Sequence, residues 1–152
     1  MINKYPINSD YSNLKTYIIN LDDYETNYTK QLPYLLNIGL NVERFSGINA
    51  LKDEHLKSEY KQYISTYAKN FAPKSVIGCA LSHILCCKHI ESNYSEKTNE
   101  HIPFFLIMED DAFPLYNKEE FYELLNKSIY EIHNHRRTIF QITRESKSSV
   151  LD

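Results

Sequence analysis

The segment "FFLIMEDDAF", residues 104–113, places an unbroken apolar run directly before three carboxylates. Residues 104–108 have the length of a strand and are typical of a central strand covered on both faces. Adjacent carboxylates repel each other, and a divalent cation would relieve that repulsion. Because oxygen ligands suit Mg²⁺ or Mn²⁺, the segment predicts a metal site, although a solvated turn before Pro114 is an equally open interpretation. The three acidic residues are Glu109, Asp110 and Asp111.

The composition narrows the class of protein. The chain has 152 residues, of which 42% are apolar and 24% charged, which suits one globular domain. We expect a loose lead-in over residues 1–14, the domain over residues 15–145 and a polar tail over residues 146–152. A net charge of −3 gives no broad attraction for nucleic acid.

The cellular compartment is predicted from what the sequence lacks. It shows no signal peptide and no apolar run of transmembrane length, so a cytoplasmic protein is expected. The three cysteines fall within nine positions, which favours free thiols over a disulfide framework. They are Cys79, Cys86 and Cys87.

Four strands are predicted from short β-branched, aromatic or apolar runs. Between them, periodic segments predict helices. The first would be capped by Asp22 and Asp23 and would end at Gly39, and the second would be a peripheral helix over residues 52–70. A third helix, 75–91, is apolar around nearly its whole circumference and would be buried, with Ser75 as its N-cap. The predicted strands are Thr16–Leu21, Leu40–Ala50, Phe104–Met108 and Thr138–Ile142.

A last helix is predicted after Asn117 and Glu120, whose spacing forms a capping box. The resulting alternation of strands and helices indicates an α/β domain with a mostly parallel central sheet flanked by helices. Ligands of such sheets bind at the carboxyl ends of the strands, where Asn20 and the acidic triplet fall.

Two other motifs compete with the interpretation of the acidic triplet as a metal site. "LIMEDD" resembles the acidic strand end of a response-regulator receiver domain, but that acidic pair usually lies near the start of the domain. The phosphoacceptor strand and a later lysine would have to follow it, and only residues 112–152 remain. Helical spacing also places Cys79, His83 and Cys87 on one face, as in a metal site. Buried thiols and a hydrogen-bonded core histidine are favoured there, because no second Cys/His pair completes a ligand set.

Four blocks together resemble glycosyltransferase family 25, which contains lipooligosaccharide and procollagen galactosyltransferases. The blocks are "YIINLDD" (17–23), "GLNVERFSGINA" (39–50), "VIGCALSHILCCKHI" (76–90) and "FFLIMEDDAF" (104–113). The resemblance implies a GT-A-like, Rossmann-like fold that binds a nucleotide sugar. It further implies metal-dependent, inverting transfer of a sugar, galactose above all, from a UDP-sugar to a hydroxyl of a glycan or a hydroxylysine-type protein acceptor.

The resemblance also assigns site residues. Asn20 and Leu21 would border the nucleotide, Asn49 and Ala50 would line its base or ribose, and Ser82 and His83 would face the donor. For Asn20, Asn49 and Ser82, a structural hydrogen bond in a turn or cap is the open alternative. The resemblance implies that Mn²⁺ or Mg²⁺ is held by the acidic triplet, and the sequence identifies no catalytic base. Glu109, Asp110 and Asp111 make up the implied metal set.

A second function remains open at this point. The family domain continues past the strand that matches residues 138–142, so the chain is also compatible with a truncated, non-catalytic member. Such a protein would retain the nucleotide-binding fold and act as a binding or interaction module.

Overall fold

A computed structural model describes residues 14–52, 58–94, 104–113 and 115–134. These residues belong to two compact units, one ending at Leu115 and the other beginning at Tyr116. The unit that ends at Leu115 contains the sheet and every site residue discussed below.

Three parallel strands form the sheet of this unit, in the order β2-β1-β3. Asn20 pairs with Ser46, and Ile19 pairs with Glu109, so the three carboxyl ends lie at one edge. The α/β class with a parallel sheet is therefore confirmed. The strand expected over residues 138–142 lies outside the described residues. The observed strands are β1 (Lys15–Asn20), β2 (Asn41–Ser46) and β3 (Phe105–Glu109).

β1, rather than β3, is the central strand of the described sheet. Residues 16–20 are all buried, whereas β3 lies at the edge and is only half-buried. The expectation that residues 104–108 are covered on both faces is not met, because β3 is only half-buried. Whether β3 is central in the whole sheet stays a prediction, since residues 138–142 lie outside the described part of the chain. A long apolar run suits a half-covered edge strand as well as a central one.

Two helices contact β1: α1 (Glu25–Asn37) and α3 (Lys74–Tyr94). On one face of the strand, Tyr17 and Ile19 form a buried cluster with Cys86 of α3. Alternation along the strand turns Thr16, Ile18 and Asn20 to the opposite face. Apolar burial of this kind stabilises by roughly 1.5–3 kcal/mol for each large side chain.

α1 ends as the sequence predicts. Gly39 has φ 87°, and its N–H donates to the carbonyl of Leu36 (2.9 Å), while the N–H of Leu40 donates to that of Leu35 (3.1 Å). This pair of bonds is a Schellman motif, which a glycine at C′ favours. Pro33 lies inside the helix with its side chain exposed.

The predicted start of α1 was wrong. Asp22 and Asp23 do not cap the helix but form a 3₁₀ turn, Asp22–Tyr24, ahead of it. Their carboxylates pair instead with Arg44 and Lys52. Ion-pair partners that come from distant parts of the chain outweigh the local capping preference of aspartate here.

The region between β2 and α3 is also less regular than predicted. In place of one peripheral helix, the structure has a 3₁₀ segment, Ser58–Tyr63, and a short α2, Thr66–Phe71. Ser65 caps α2 by accepting a hydrogen bond from the N–H of Ala68 (3.1 Å).

α3 is buried on one face and exposed on the other, whereas the sequence predicted a helix buried on all sides. Leu81 and Cys86 are buried, but Val76 and Ala80 are exposed. The helix begins at Lys74, so Ser75 lies in its first turn and is not the N-cap. The prediction of a fully buried helix, which was based on apolar residues around nearly its whole circumference, was therefore wrong.

The second unit is described here by α4 (Lys118–Asn134). The Asn117 side chain accepts from the N–H of Glu120 (2.9 Å), and the Glu120 carboxylate accepts from the N–H of Asn117 (3.3 Å). These reciprocal bonds confirm the predicted capping box. Within the described ranges, no helix is both long enough and apolar enough to cross a membrane.

Candidate functional site

A cleft of about 200 Å³ opens at the carboxyl edge of the sheet. Its walls are the ends of β1 and β3, the loop that follows β2, and the first three turns of α3. Ligand sites of parallel α/β sheets occur at this edge. The lining residues are Ile19, Leu21, Ile48, Asn49, Ala50, Leu51, Ser75, Cys79, Ser82, His83, Glu109 and Asp110.

The loop after β2, residues 47–50, lies directly against α3. A Cβ built on Gly78 would lie only 2.6 Å from the carbonyl oxygen of Ile48, so the approach requires glycine. Ser82 Oγ accepts a hydrogen bond from the N–H of Ile48 (2.8 Å) and donates to the carbonyl of Gly78 (2.7 Å). The motifs "SGINA" and "GCALSH" are thus the two sides of one joint, which fixes a wall of the cleft.

Asn20 is buried beneath the cleft floor, with 1% of its surface exposed. Its amide nitrogen donates to the Tyr24 carbonyl (2.9 Å) and to Asp110 Oδ2 (2.7 Å). Its amide oxygen accepts from Arg44 Nε (2.8 Å). Both amide hydrogens and one lone pair of the amide oxygen are used inside the protein, and Asn20 positions Asp110 without lining the cleft.

Arg44 extends this network outward. Its guanidinium donates to Asp22 Oδ1 (2.6 Å), and Ser46 Oγ donates to Asp22 Oδ2 (2.8 Å). The hydrogen bond from Arg44, then that from Ser46, lowers the pKa of Asp22 below its ordinary value. The network links the ends of β1 and β2 to the acidic segment after β3.

Gln31 of α1 holds the backbone of the acidic segment. This fully buried side chain donates from Nε2 to the carbonyls of Glu109 (2.9 Å) and Ala112. The N–H of Ala112 also donates to the Glu109 carbonyl (3.1 Å), which closes a turn over the triplet. A polar residue inside a helix here serves to fix where the carboxylates project.

The three carboxylates do not converge on one point. Glu109 turns toward α3, whereas Asp110 turns toward β1 and α1, where the side-chain amides of Asn20 (2.7 Å) and Asn27 (3.4 Å) donate to it. Asp111 is exposed and does not line the cleft. Glu109 and Asp110 are therefore the two members that face the same cavity.

Glu109 meets two side chains of α3. Its Oε1 lies 3.2 Å from His83 Nε2 and 3.4 Å from Cys79 Sγ. Burial, and after it the negative charge of Glu109, raises the pKa of the Cys79 thiol. These three residues form a compact group of potential metal ligands whose donor atoms lie within 4.8 Å of one another.

The predicted site residues are brought together for the most part. Seven of the nine line the cleft, while Asn20 lies beneath it and Asp111 outside it. Ser82 makes the structural hydrogen bond that was the open alternative for it. Asn49 does so too: it donates to Asp23 (3.1 Å) and accepts from the N–H of Leu51 (3.1 Å) while it lines the cleft.

The expectation of buried thiols is only partly correct. Cys86 is fully buried, and this burial raises its pKa to about 12, whereas Cys79 and Cys87 are exposed. His83 is half-exposed and pairs with Glu109 instead of belonging to the core. Helical spacing in the sequence places Cys79 beside His83. The carboxylate of Glu109, at the end of β3, comes close to both only in the folded protein.

Several cleft or support residues were missed by the sequence analysis: Cys79 as a lining residue, and Gln31 and Arg44 as the side chains that hold the acidic segment and Asn20. The available signal is a polar side chain within a helix or strand that packs on the protein interior, since such groups need partners. The sequence does not name those partners.

Comparison with known proteins agrees with this geometry. The family model for glycosyltransferase family 25 (LPS biosynthesis protein) matches residues 13–149. No curated protein and no solved structure shows a significant match. Since the family model covers nearly the whole chain, including every block that lines the cleft, this protein belongs to glycosyltransferase family 25.

Proposed function

We propose that this protein transfers a sugar from a nucleotide-sugar donor, with a UDP-sugar and galactose as the first candidates, to a hydroxyl group of a saccharide. The observation that carries the proposal is the cleft itself. Residues from all four blocks meet in it, at the edge of a parallel sheet where nucleotides bind. The lipopolysaccharide link in the family description favours a saccharide acceptor over a hydroxylysine-type protein acceptor.

The cleft would hold only part of such a donor. Its volume of about 200 Å³ is below the roughly 300–1,000 Å³ of ordinary ligand pockets. The apolar walls near Leu21 and Ala50 suit the base and ribose, and the carboxylate end suits the diphosphate. Asn49 would contribute its amide to the ribose while its carbonyl stays bound to Leu51.

The donor set fits a divalent metal at the carboxylate end. Mg²⁺ and Mn²⁺ are commonly held by one or two carboxylates plus substrate phosphates, and Glu109 and Asp110 face one cavity. Asn20 and Asn27 donate to one oxygen of Asp110, as partners that orient a metal-binding carboxylate do. Asp111 remains a predicted third ligand. The metal would supply positive charge beside the departing diphosphate.

Sugar transfer with inversion requires the cleft to hold the donor so that the acceptor can attack from the side opposite the leaving group. The acceptor oxygen forms a bond to the anomeric carbon on the face opposite the diphosphate, and the bond from that carbon to the diphosphate oxygen breaks. The acceptor's proton passes to a base, and the nucleoside diphosphate leaves. The rigid joint between Gly78 and Ile48 would hold the donor in one position for this attack, which is a large part of the rate advantage.

The test is release of UDP from UDP-galactose and UDP-glucose in Mn²⁺, with and without a panel of saccharides and a hydroxylysine peptide. Mass spectrometry of the acceptors identifies any product. We expect acceptor-dependent release with a saccharide, and at least about a tenfold loss in Asp110→Asn, since this change removes the charge but keeps an acceptor for Asn20. Glu91→Gln, which removes an exposed carboxylate near the far end of α3, is the matched control and should act as wild type.

Binding without turnover would favour the other function. If UDP and Mn²⁺ stabilise the protein but no donor is consumed with any acceptor, the chain is a nucleotide-binding module and not a transferase. If neither stabilises it at millimolar concentration, both functions are wrong for this cleft.

A further inference from the structure

The group formed by Cys79, His83 and Glu109 has a chemistry that sugar transfer does not require. Cys79 and His83 are one helical turn apart on α3, so both side chains project from the same face. Glu109, the last residue of β3, places its carboxylate opposite them. Nitrogen to oxygen is 3.2 Å, sulfur to oxygen is 3.4 Å, and all three donor atoms lie within 4.8 Å.

These separations match a tetrahedral metal site. With Zn–S near 2.3 Å and Zn–N and Zn–O near 2.0–2.1 Å, ligand atoms of a tetrahedral zinc are about 3.3–3.6 Å apart. The nitrogen–oxygen pair (3.2 Å) and the sulfur–oxygen pair (3.4 Å) are close to this spacing, and side-chain rotation on the half-exposed surface can adjust the third pair. A thiolate, an imidazole and a carboxylate are the three kinds of ligand that zinc takes in proteins.

We propose that Cys79, His83 and Glu109 form a binding site for Zn²⁺ or a similar transition-metal ion, at the α3 side of the cleft. Three protein ligands leave a fourth position open to water or to a cleft ligand, as in zinc sites that exchange ligands. Binding replaces the thiol proton of Cys79, which passes to solvent, with the metal.

The ligand types also separate this site from the donor metal site. A thiolate favours zinc strongly over Mg²⁺ or Mn²⁺, which take oxygen ligands. Cys87 lies two turns beyond Cys79 on α3 and is absent from the group. Cys86 is fully buried in the core.

The two sites share one carboxylate. Glu109 binds zinc in this inference and would also serve the donor metal in the proposed function. Zinc would therefore withdraw Glu109 from the donor site and lower sugar transfer. This regulatory consequence rests on the proposed function, whereas zinc binding itself does not.

Cobalt titration tests the site without any sugar. Co²⁺ substitutes for zinc, and coordination to a thiolate gives a near-ultraviolet charge-transfer band. We expect one equivalent of Co²⁺ to produce that band, Zn²⁺ to abolish it and Mg²⁺ to leave it unchanged. Cys79→Ser should remove the band, and His83→Gln should weaken cobalt binding by more than about 100-fold, because even loss of an outer partner costs 10–100-fold.

Cys87→Ser is the matched control and should keep both the band and the affinity. Circular dichroism of each variant checks that it is folded. Absence of the band in the wild-type protein, or its survival in Cys79→Ser, would overturn the inference. Asp110→Asn separates the two sites: it should bind cobalt as wild type does, and this holds whether or not the protein transfers sugar.

Discussion

Replacing Gly78 with alanine tests the joint that shapes the cleft. In an ordinary helix interior, this change stabilises by about 1 kcal/mol, because glycine has the lower helix propensity. Here the new Cβ would lie 2.6 Å from the carbonyl oxygen of Ile48, while an ordinary contact begins near 3.4 Å. Helix and loop must therefore separate by about 0.8 Å.

That separation opposes the gain in helix propensity. Forcing an extra carbon into a packed position costs roughly 1–3 kcal/mol. Weakening the 2.8 Å hydrogen bond from Ile48 to Ser82 costs about 1 kcal/mol more. The two costs exceed the gain, so Gly78→Ala should lower the free energy of unfolding by about 1–3 kcal/mol.

Urea unfolding followed by circular dichroism measures this change. Ala80→Gly is the matched control, since Ala80 is exposed on the same helix, and it should cost only the propensity of about 1 kcal/mol. A Gly78→Ala protein as stable as wild type, or more stable, would refute the account of the joint.

Other predictions test the network and the thiols. Asn20→Ala should lower the free energy of unfolding by about 2–4 kcal/mol, because it empties a buried site and removes a hydrogen bond from two partly buried charged groups, those of Asp110 and Arg44; a loss under about 1 kcal/mol in urea unfolding would contradict this. Since Arg44 depresses the pKa of Asp22 below its ordinary 3.8, this carboxylate stabilises the fold at higher pH and the contribution is lost as the pH falls through its folded pKa. Asp22→Asn should therefore flatten the acid limb of a stability curve measured by thermal melting, and an unchanged limb would count against the pairing. Iodoacetamide should label Cys87 in the native protein and Cys86, whose pKa is raised to about 12, only on unfolding, as peptide mass spectrometry would show; native labelling of Cys86 would contradict its burial.

Local sequence signals predicted the elements well but not their partners. Gly39 and the Asn117–Glu120 pair specify the end of one helix and the start of another, and both were confirmed, because each depends on a few neighbouring residues. The sequence around Asp22 gave an equally plausible local prediction, that of a helix cap. In the structure Asp22 pairs with Arg44 instead, which is distant in sequence and comes close to Asp22 only because β2 pairs with β1.

The candidate site shows the same limit. The position of the acidic triplet at a strand end was predictable from the apolar run before it. The divergence of Glu109 and Asp110 was not, since it depends on Gln31 holding the backbone and on Asn20 attracting one carboxylate. Three adjacent carboxylates look alike in the sequence, and only their contacts in the folded protein show that they point in different directions.

Chemical-shift mapping of donor binding tests the central claim most directly. In ¹H–¹⁵N spectra, UDP-galactose with Mg²⁺ should shift the amide signals of the cleft, which include those of Ile48, Asn49, His83 and Asp110, and the shifts should saturate with one binding constant. Asp110→Asn should weaken that binding, whereas Glu91→Gln should not. If millimolar UDP-galactose leaves these amides unmoved, or moves a different surface instead, the cleft is not the nucleotide-sugar site.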